Sequence, residues 1–200
     1  MRKENKFSLP AIVSAVVLLL VLAGCNAVVT KSDDNGKQEK KVEISTPLGG
    51  LQVRKDVDPK ELGLTPYPNA RLLPEEQGSG DSSANVNIST PFFALKVIAA
   101  KYESDDPPEK IIDFYRKDMT RYGKVVQCKG SGHNGSQAGS GKDDDIKLTL
   151  TCDDSGSEDK NITLKAGQGE SQHMVEIEPQ SKGAHIGLVY IQMRGKAESM

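Results

Sequence analysis

The feature that most constrains the fold is the segment 92–103, whose sequence FFALKVIAAKYE is the most apolar of the candidate strands. Successive side chains of an extended strand point to opposite faces. One face would carry Phe93, Leu95 and Val97, and the other Phe92, Ala94, Ile98 and Ala100. Both faces are largely apolar, which is typical of a strand that is covered on both sides. We therefore expect a central strand with cover on both faces for part of its length.

The segment after this strand predicts one amphipathic helix. It would begin with a capping box, in which Asp106 is the N-cap and Glu109 lies three residues later, and it would end at Gly123. The face at helical spacing consists of Ile111, Ile112, Tyr115, Met119 and Tyr122, widened by Phe114. The basic residues Arg116, Lys117 and Arg121 lie off this face, and a solvated surface explains them better than an anionic partner does.

The rest of the chain is predicted to consist of strands and turns. The candidate strands are 42–44, 51–53, 71–73, 87–89, 124–129, 146–153 and 162–164, with loops at 78–85 and in the Gly/Ser stretch between 130 and 145. In the last hairpin, pairing Pro179 with Ala184 places six residues on one face, which supports that register. They are His173, Val175, Ile177, Ile186, Leu188 and Tyr190. The expected fold class is α+β, with one main helix packed on a mostly antiparallel β-sheet over residues 42–195.

The first 24 residues have the pattern of an export signal. Arg2, Lys3 and Lys6 form a basic start, and residues 11–22 form an apolar run that only Ser14 interrupts. Spanning a bilayer takes about 20 apolar residues, so this run is too short. It fits the apolar region of a signal peptide, which is about 7–15 residues long.

The four residues Leu22-Ala23-Gly24-Cys25 resemble the lipobox of bacterial lipoproteins. The resemblance implies diacylation of the Cys25 thiol, cleavage between Gly24 and Cys25, and acylation of the new amino group. Two or three acyl chains anchor a protein stably, because each buried methylene contributes about 0.8 kcal/mol. An uncleaved N-terminal helix with an incidental cysteine is the alternative. Asn26 follows the cysteine, which by analogy with enterobacterial sorting favours the periplasmic face of the outer membrane.

The composition of the processed chain limits its partners. Residues 26–41 are polar and without periodicity, so residues 25–41 are predicted to be a lipidated flexible tether, and residues 196–200 a disordered tail. Removing residues 1–24 takes three basic residues and one acidic residue from totals of 26 and 28, which leaves a net charge of −4. This charge argues against a nucleic-acid partner, and it leaves the acylated Cys25 as the attachment to the lipid bilayer.

Export also bears on the remaining cysteines. With Cys25 acylated, Cys128 and Cys152 are an even pair in an oxidising compartment, which favours a disulfide. A metal site is the competing interpretation, but no further Cys or His lies nearby at ligand spacing.

A second resemblance rests on the sequence GLTPYPNA at 63–70, followed by the apolar strand and by a helix with Pro108, Phe114, Tyr115 and Gly123. This pattern resembles a group of exported bacterial proteins of uncharacterised function, often lipoproteins, which have Tyr-Pro-Gly-Ala at the position of residues 67–70. The resemblance covers residues 42–193 and implies a small α+β domain. Asn69 stands where that group has glycine, and Asn tolerates the positive φ of such a turn. No active site comes with the resemblance.

No motif assigns catalytic chemistry. The stretch 130–135 matches G-x-G-x-x-G, but no helix follows it to face a pyrophosphate. Asp143, Asp144 and Asp145 lack the spacing of a calcium loop. His133 lies in a predicted loop.

The other two histidines are expected on opposite faces of the last hairpin. His173 would be a hydrogen-bonded residue at the edge of the core, and His185 would pair with Glu178 on the surface. No catalytic residue, metal ligand or cofactor is therefore assigned. The sequence favours a non-enzymatic binding or accessory module of the envelope, with a protein, polysaccharide or small-molecule partner. A periplasmic hydrolase or metal-dependent enzyme, with a site built from dispersed histidines and carboxylates, is the alternative hypothesis.

Overall fold

The computed structural model describes residues 26–34, 37–73, 82–130, 137–140, 146–152 and 160–195. The strands are β1 (Asn26–Asp34), β2 (Lys37–Thr46), β3 (Gly49–Arg54), β4 (Arg71–Leu72), β5 (Ser83–Ser89), β6 (Phe93–Ser104), β7 (Val126–Lys129), β8 (Gln137–Ser140), β9 (Ile146–Thr149), β10 (Ile162–Gln168), β11 (Ser171–Pro179) and β12 (Ala184–Gly195). Helix α1 (Pro108–Asp118) continues into a 3₁₀ turn, Met119–Tyr122. No helix in these ranges is long and apolar enough to cross a membrane.

Ten of the described strands form one antiparallel sheet in the order β1-β2-β3-β5-β6-β12-β11-β10-β7, with β4 paired to the outer end of β6. Strands β8 and β9 form a separate hairpin. The predicted central strand is β6, which lies between β5 and β12. The expected mostly antiparallel sheet with one main helix is confirmed. The helix is short, however, and the chain is richer in strand than the expected class suggested.

The last hairpin has the register that its apolar alternation predicted. Pro179 pairs with Ala184, Val175 with Leu188, and His173 with Tyr190. A shift of one residue would have turned these side chains to the other face, so burial of one face fixes the pairing.

The hydrophobic core lies between α1 and one face of the sheet. Ile111, Tyr115 and Met119 of the helical segment are fully buried against β10 and β11. The sheet contributes Leu164, Val175, Ile177, Ile186, Leu188 and Ile98 to the same cluster. We call this side of the sheet the helix face. The helical segment ends at Gly123, whose φ of 114° favours glycine, as its position predicted.

The predicted cap of α1 was wrong. The N-cap is Pro107, and no side chain caps the helix. The Asp106 carboxylate instead accepts a hydrogen bond from the Tyr67 hydroxyl at 2.9 Å and lies 3.5 Å from the Lys110 ammonium. The Tyr67 ring packs edge-on against Phe114, with 5.2 Å between the centroids, so this contact ties the loop before β4 to the helix. Asn69 in this loop has a φ of 59°, as the resemblance implied.

Three segments contain more strand than the sequence indicated. The predicted tether at 25–41 contains β1 and the start of β2, which pair from Asn26 opposite Ser45 to Asp34 opposite Lys37. Strand β5 starts at Ser83, inside a predicted loop, and β8 lies inside the Gly/Ser stretch. In each segment, backbone hydrogen bonds to a neighbouring strand hold the chain extended, and the polar side chains do not show the alternation that would predict a strand.

Candidate functional site

Behind the helix face, the sheet carries a second face made of aliphatic side chains in register. Its middle row crosses five adjacent strands through consecutive cross-strand partners. The members of this row are Val42, Val53, Val86, Val97 and Ile191. The row on one side consists of Ile44, Leu51, Ile88, Leu95 and Met193, and the row on the other of Ala84, Ala99 and Val189. We call these three rows the aliphatic face.

The aliphatic face is outside the hydrophobic core. None of its described residues belongs to the core cluster or is counted among the apolar residues packed against it. Its side chains are half-buried, and Ile44 is 37% exposed. By contrast, Ile98 and Leu188 on the helix face have no exposed surface.

The segment 146–152 covers only one side of this face. Strand β9 contacts β10 and β12. The buried Lys165 Nζ of β10 donates a hydrogen bond to the Thr151 carbonyl at 2.8 Å. The main contacts of β2, β3 and β5 are with neighbouring strands of the sheet. The aliphatic residues of these three strands are therefore the most open part of the face.

The two predicted disulfide cysteines meet where this cover ends. Their sulfur atoms lie at disulfide-bond distance, and their Cα atoms are 5.4 Å apart. Cys128 of β7 is buried opposite Thr163, which places it on the same side of the sheet as the aliphatic face. A bond to Cys152 would hold the covering segment against the sheet.

A charged row closes the aliphatic face at the far end of β6. Glu178, His185, Glu103 and Arg71 are consecutive cross-strand partners. Arg71 Nε lies 3.0 Å from Glu103 Oε1, and His185 Nδ1 lies 3.8 Å from Glu178 Oε2. The predicted surface pair of His185 and Glu178 is thereby confirmed. Among the described residues, the face has least cover at β2, β3 and β5, and it is polar at this end.

The aliphatic face is a continuous patch and not a set of scattered residues. Two of its rows cross five strands and the third crosses three, so with strands about 4.8 Å and rows about 7 Å apart the patch covers roughly 200 Å² between Cα positions. Single apolar residues scattered over a surface are ordinary, whereas contiguous apolar patches are often functional. The three rows are aliphatic, and Phe93 lies two residues from Leu95 on the same face of β6.

A second, smaller feature surrounds His173 at the edge of the core. The His173 ring is 6% exposed and stacks on Tyr122 with 3.6 Å between the centroids. Its Nδ1 is buried and has no hydrogen-bond partner among the described residues. Burial lowers the pKa of His173 from 6.5 to about 4, helped by the positive charge of Arg121 and opposed by Asp118. A cleft of about 450 Å³ adjoins it.

This cleft gives little support to catalysis. The neutral His173 imidazole is a poor proton donor near neutral pH, because its pKa is far below that range. Arg121 is already engaged, since its guanidinium donates to Asp118 Oδ2 at 2.8 Å and to the Gly63 carbonyl at 2.9 Å. Across the described ranges no group of three His, Cys, Asp or Glu side chains is placed to hold a metal ion.

Several residues singled out in the sequence lie outside the described ranges. They are Cys25 with the rest of the lipobox, His133, Asp143, Asp144, Asp145, the glycine motif beyond Gly130 and the tail 196–200. The basic residues of the helix can be placed: Arg116 pairs with Asp113 at 2.9 Å, and Arg121 pairs with Asp118. These pairs are consistent with the solvated surface that was expected there.

The chain matches no protein-family model, and comparisons with curated proteins and with solved structures find no similar protein. The likeness to exported Tyr-Pro-Gly-Ala proteins therefore stays a prediction.

Sequence reasoning missed the aliphatic face as a site, although part of its signal was visible. The alternation of Leu95 and Val97 showed that β6 is apolar on both sides. The full patch appears only when β2, β3, β5 and β12 are aligned on it, and that alignment depends on pairings distant in sequence.

Proposed function

We propose that this chain is a membrane-anchored envelope lipoprotein, held by acylated Cys25, whose strand-rich α+β domain is a non-enzymatic binding module. Its binding surface is the aliphatic face, and its partner is apolar. The anchor belongs to the periplasmic face of the outer membrane, in line with Asn26 after the lipidated cysteine.

The observation that carries the proposal is the aliphatic face at β2, β3 and β5, where the described helix and strands outside the sheet make no close packing contact with these three strands. Apolar surface in contact with water is unfavourable by about 25 cal/mol per Å², so a patch of this size favours association. On the helix face, α1 packs on β10 and β11, where Leu164, Val175 and Ile177 have no exposed surface, and this shows what a filled part of the sheet looks like. A surface for binding also requires no catalytic cluster, which agrees with the neutral His173 and the engaged Arg121.

Photo-crosslinking in intact cells tests the binding surface. A photoreactive amino acid replaces Val53, in the middle row of the aliphatic face, or Lys117, which is exposed on α1. We expect position 53 to give a reproducible crosslinked product, whether lipid or protein, and position 117 to give none. Equal products from both positions, or none from position 53, would contradict the proposed surface.

A further inference from the structure

The end of the sheet nearest residue 25 carries two large exposed apolar side chains. Leu48, in the turn between β2 and β3, is 78% exposed, and Phe92, in the turn between β5 and β6, is 72% exposed. Ile44, at 37%, lies at the same end of β2. These are three of the four large exposed hydrophobic residues in the described part of the chain, and the fourth is Leu72. Exposed apolar residues are thus concentrated at one end.

Both turns are held in place by hydrogen bonds. The Thr46 hydroxyl donates to the Gly49 carbonyl at 2.8 Å, which closes the turn that carries Leu48. Thr90 closes the other turn, because its backbone N–H donates to the Phe93 carbonyl at 2.7 Å and its hydroxyl accepts from the Phe93 N–H at 2.9 Å. The two turns also touch, since a Cβ on Gly49 would lie 2.3 Å from the Ser89 carbonyl oxygen. They therefore form one continuous surface.

The chain enters the sheet at the same end. Strand β1 begins at Asn26, opposite Ser45, and Cys25 is the residue immediately before it. Adjacent strands are about 4.8 Å apart, so the start of β1, the Leu48 turn and the Phe92 turn lie along an edge of roughly 20 Å. The acyl chains expected on Cys25 would leave the protein at this edge, with no spacer between lipid and sheet.

We propose that this end of the sheet, defined by Asn26, Leu48 and Phe92 and called the anchor end, lies in the bilayer that holds the acyl chains of Cys25. The inference rests on the proposed function, and it names the bilayer as the partner of the row of the aliphatic face that adjoins this end. Leu48 and Phe92 enter the lipid, and the row of the aliphatic face that contains Ile44 and Leu51 turns toward it. The charged row with Arg71 and Glu103 is at the opposite end, facing water.

The position of residue 25 favours a bilayer over a second copy of the chain. Acylation at Cys25 would hold the anchor end beside the lipid, because Asn26, the first residue of β1, directly follows Cys25. The charges at this end are mixed, since Arg194 pairs with Glu170 at 3.2 Å. Contact should therefore depend on apolar insertion and not on anionic lipid headgroups.

The test uses the full acylated protein, purified from membranes and reconstituted in phosphatidylcholine vesicles. Single cysteines replace Leu48, Phe92 or, as the control, Lys182, which is 78% exposed in the turn between β11 and β12. Each is labelled with a polarity-sensitive fluorophore while the 128–152 pair stays oxidised. We expect blue-shifted emission at positions 48 and 92, quenched by lipids that carry a nitroxide on the acyl chain. Position 182 should show neither effect.

Each alternative outcome has a definite meaning. Water-like emission at 48 and 92, with acylated Cys25 confirmed by mass spectrometry, overturns the bilayer contact and leaves the proposed function standing. A second copy of the chain at the anchor end would give blue-shifted emission that the lipid quencher does not affect and that reverts when the protein is diluted in lipid. This result also overturns the bilayer contact. Absence of acyl groups on Cys25 overturns both proposals.

Discussion

Acidification should destabilise the protein through His173. The pKa of this histidine is 6.5 in an unfolded chain and about 4 in the folded protein, because burial disfavours the imidazolium. Between these two pH values the unfolded state binds more protons than the folded state. The contribution of the neutral imidazole to the free energy of unfolding is therefore complete above pH 6.5 and is lost as the pH falls toward 4. One pKa unit corresponds to about 1.4 kcal/mol, so the loss by about pH 5 should be about 2 kcal/mol.

The measurement is urea unfolding of the full protein in detergent, followed by circular dichroism because the chain has no Trp. The free energy of unfolding is compared at about pH 7.5 and about pH 5 for wild type and for His173→Gln. The variant should lose about 2 kcal/mol less than wild type over this interval, whatever its stability at the higher pH. Carboxylates also titrate near pH 5, but they contribute equally to both proteins and cancel in the comparison.

His185→Gln is the matched control, since His185 lies on the surface beside Glu178. The change of its unfolding free energy with pH is measured in the same way and compared with that of His173→Gln. If His173→Gln and wild type lose the same free energy between the two pH values, the assignment of a buried neutral His173 is refuted.

Three further perturbations test the packing. Val175→Ala in the core should lower the free energy of unfolding by about 2–3 kcal/mol, whereas Val97→Ala on the aliphatic face should lower it by about 1 kcal/mol. Equal losses would show that the aliphatic face is filled. Cys152→Ser should lower stability by about 3 kcal/mol if a disulfide closes its loop, and thiol labelling of the unreduced, denatured wild type should find no free cysteine. Gly183→Ala should lower the free energy of unfolding by about 3 kcal/mol, because the φ of Gly183 is 73° and a Cβ would lie 1.9 Å from the Ser104 carbonyl oxygen. Gly169 has a φ of 61° but lies in open space, so Gly169→Ala should lower it by only about 1 kcal/mol. Thermal or urea unfolding of the paired glycine variants decides the last comparison.

Elements with strong local patterns were predictable from the sequence. The β11–β12 register agrees with the apolar alternation, because it puts Val175, Ile177 and Leu188 on a single face, which a shift of one residue would not do. The helix follows from the spacing of Ile111, Tyr115 and Met119 and from Gly123 at its end. In both cases a short stretch contains all the residues that decide the structure.

Features that depend on distant partners were not predictable. Asp106 has the sequence signature of a cap, but the Tyr67 hydroxyl, 39 residues away, bonds to its carboxylate. The pairing of β1 with β2 rests on backbone hydrogen bonds, to which the composition of residues 26–41 gives no guide. The aliphatic face requires the order β2-β3-β5-β6-β12, which brings together strands that are far apart in the chain.

The central claim is that this sheet is attached to lipid directly at its anchor end, and the mass of the N-terminal peptide tests it most directly. The protein is isolated from cell membranes with its own signal segment, and the peptide is analysed by mass spectrometry. We expect a chain that begins at Cys25 and carries a diacylglyceryl group on the thiol together with an acyl group on the amine. A chain that begins at Met1, or an unmodified Cys25, would contradict it.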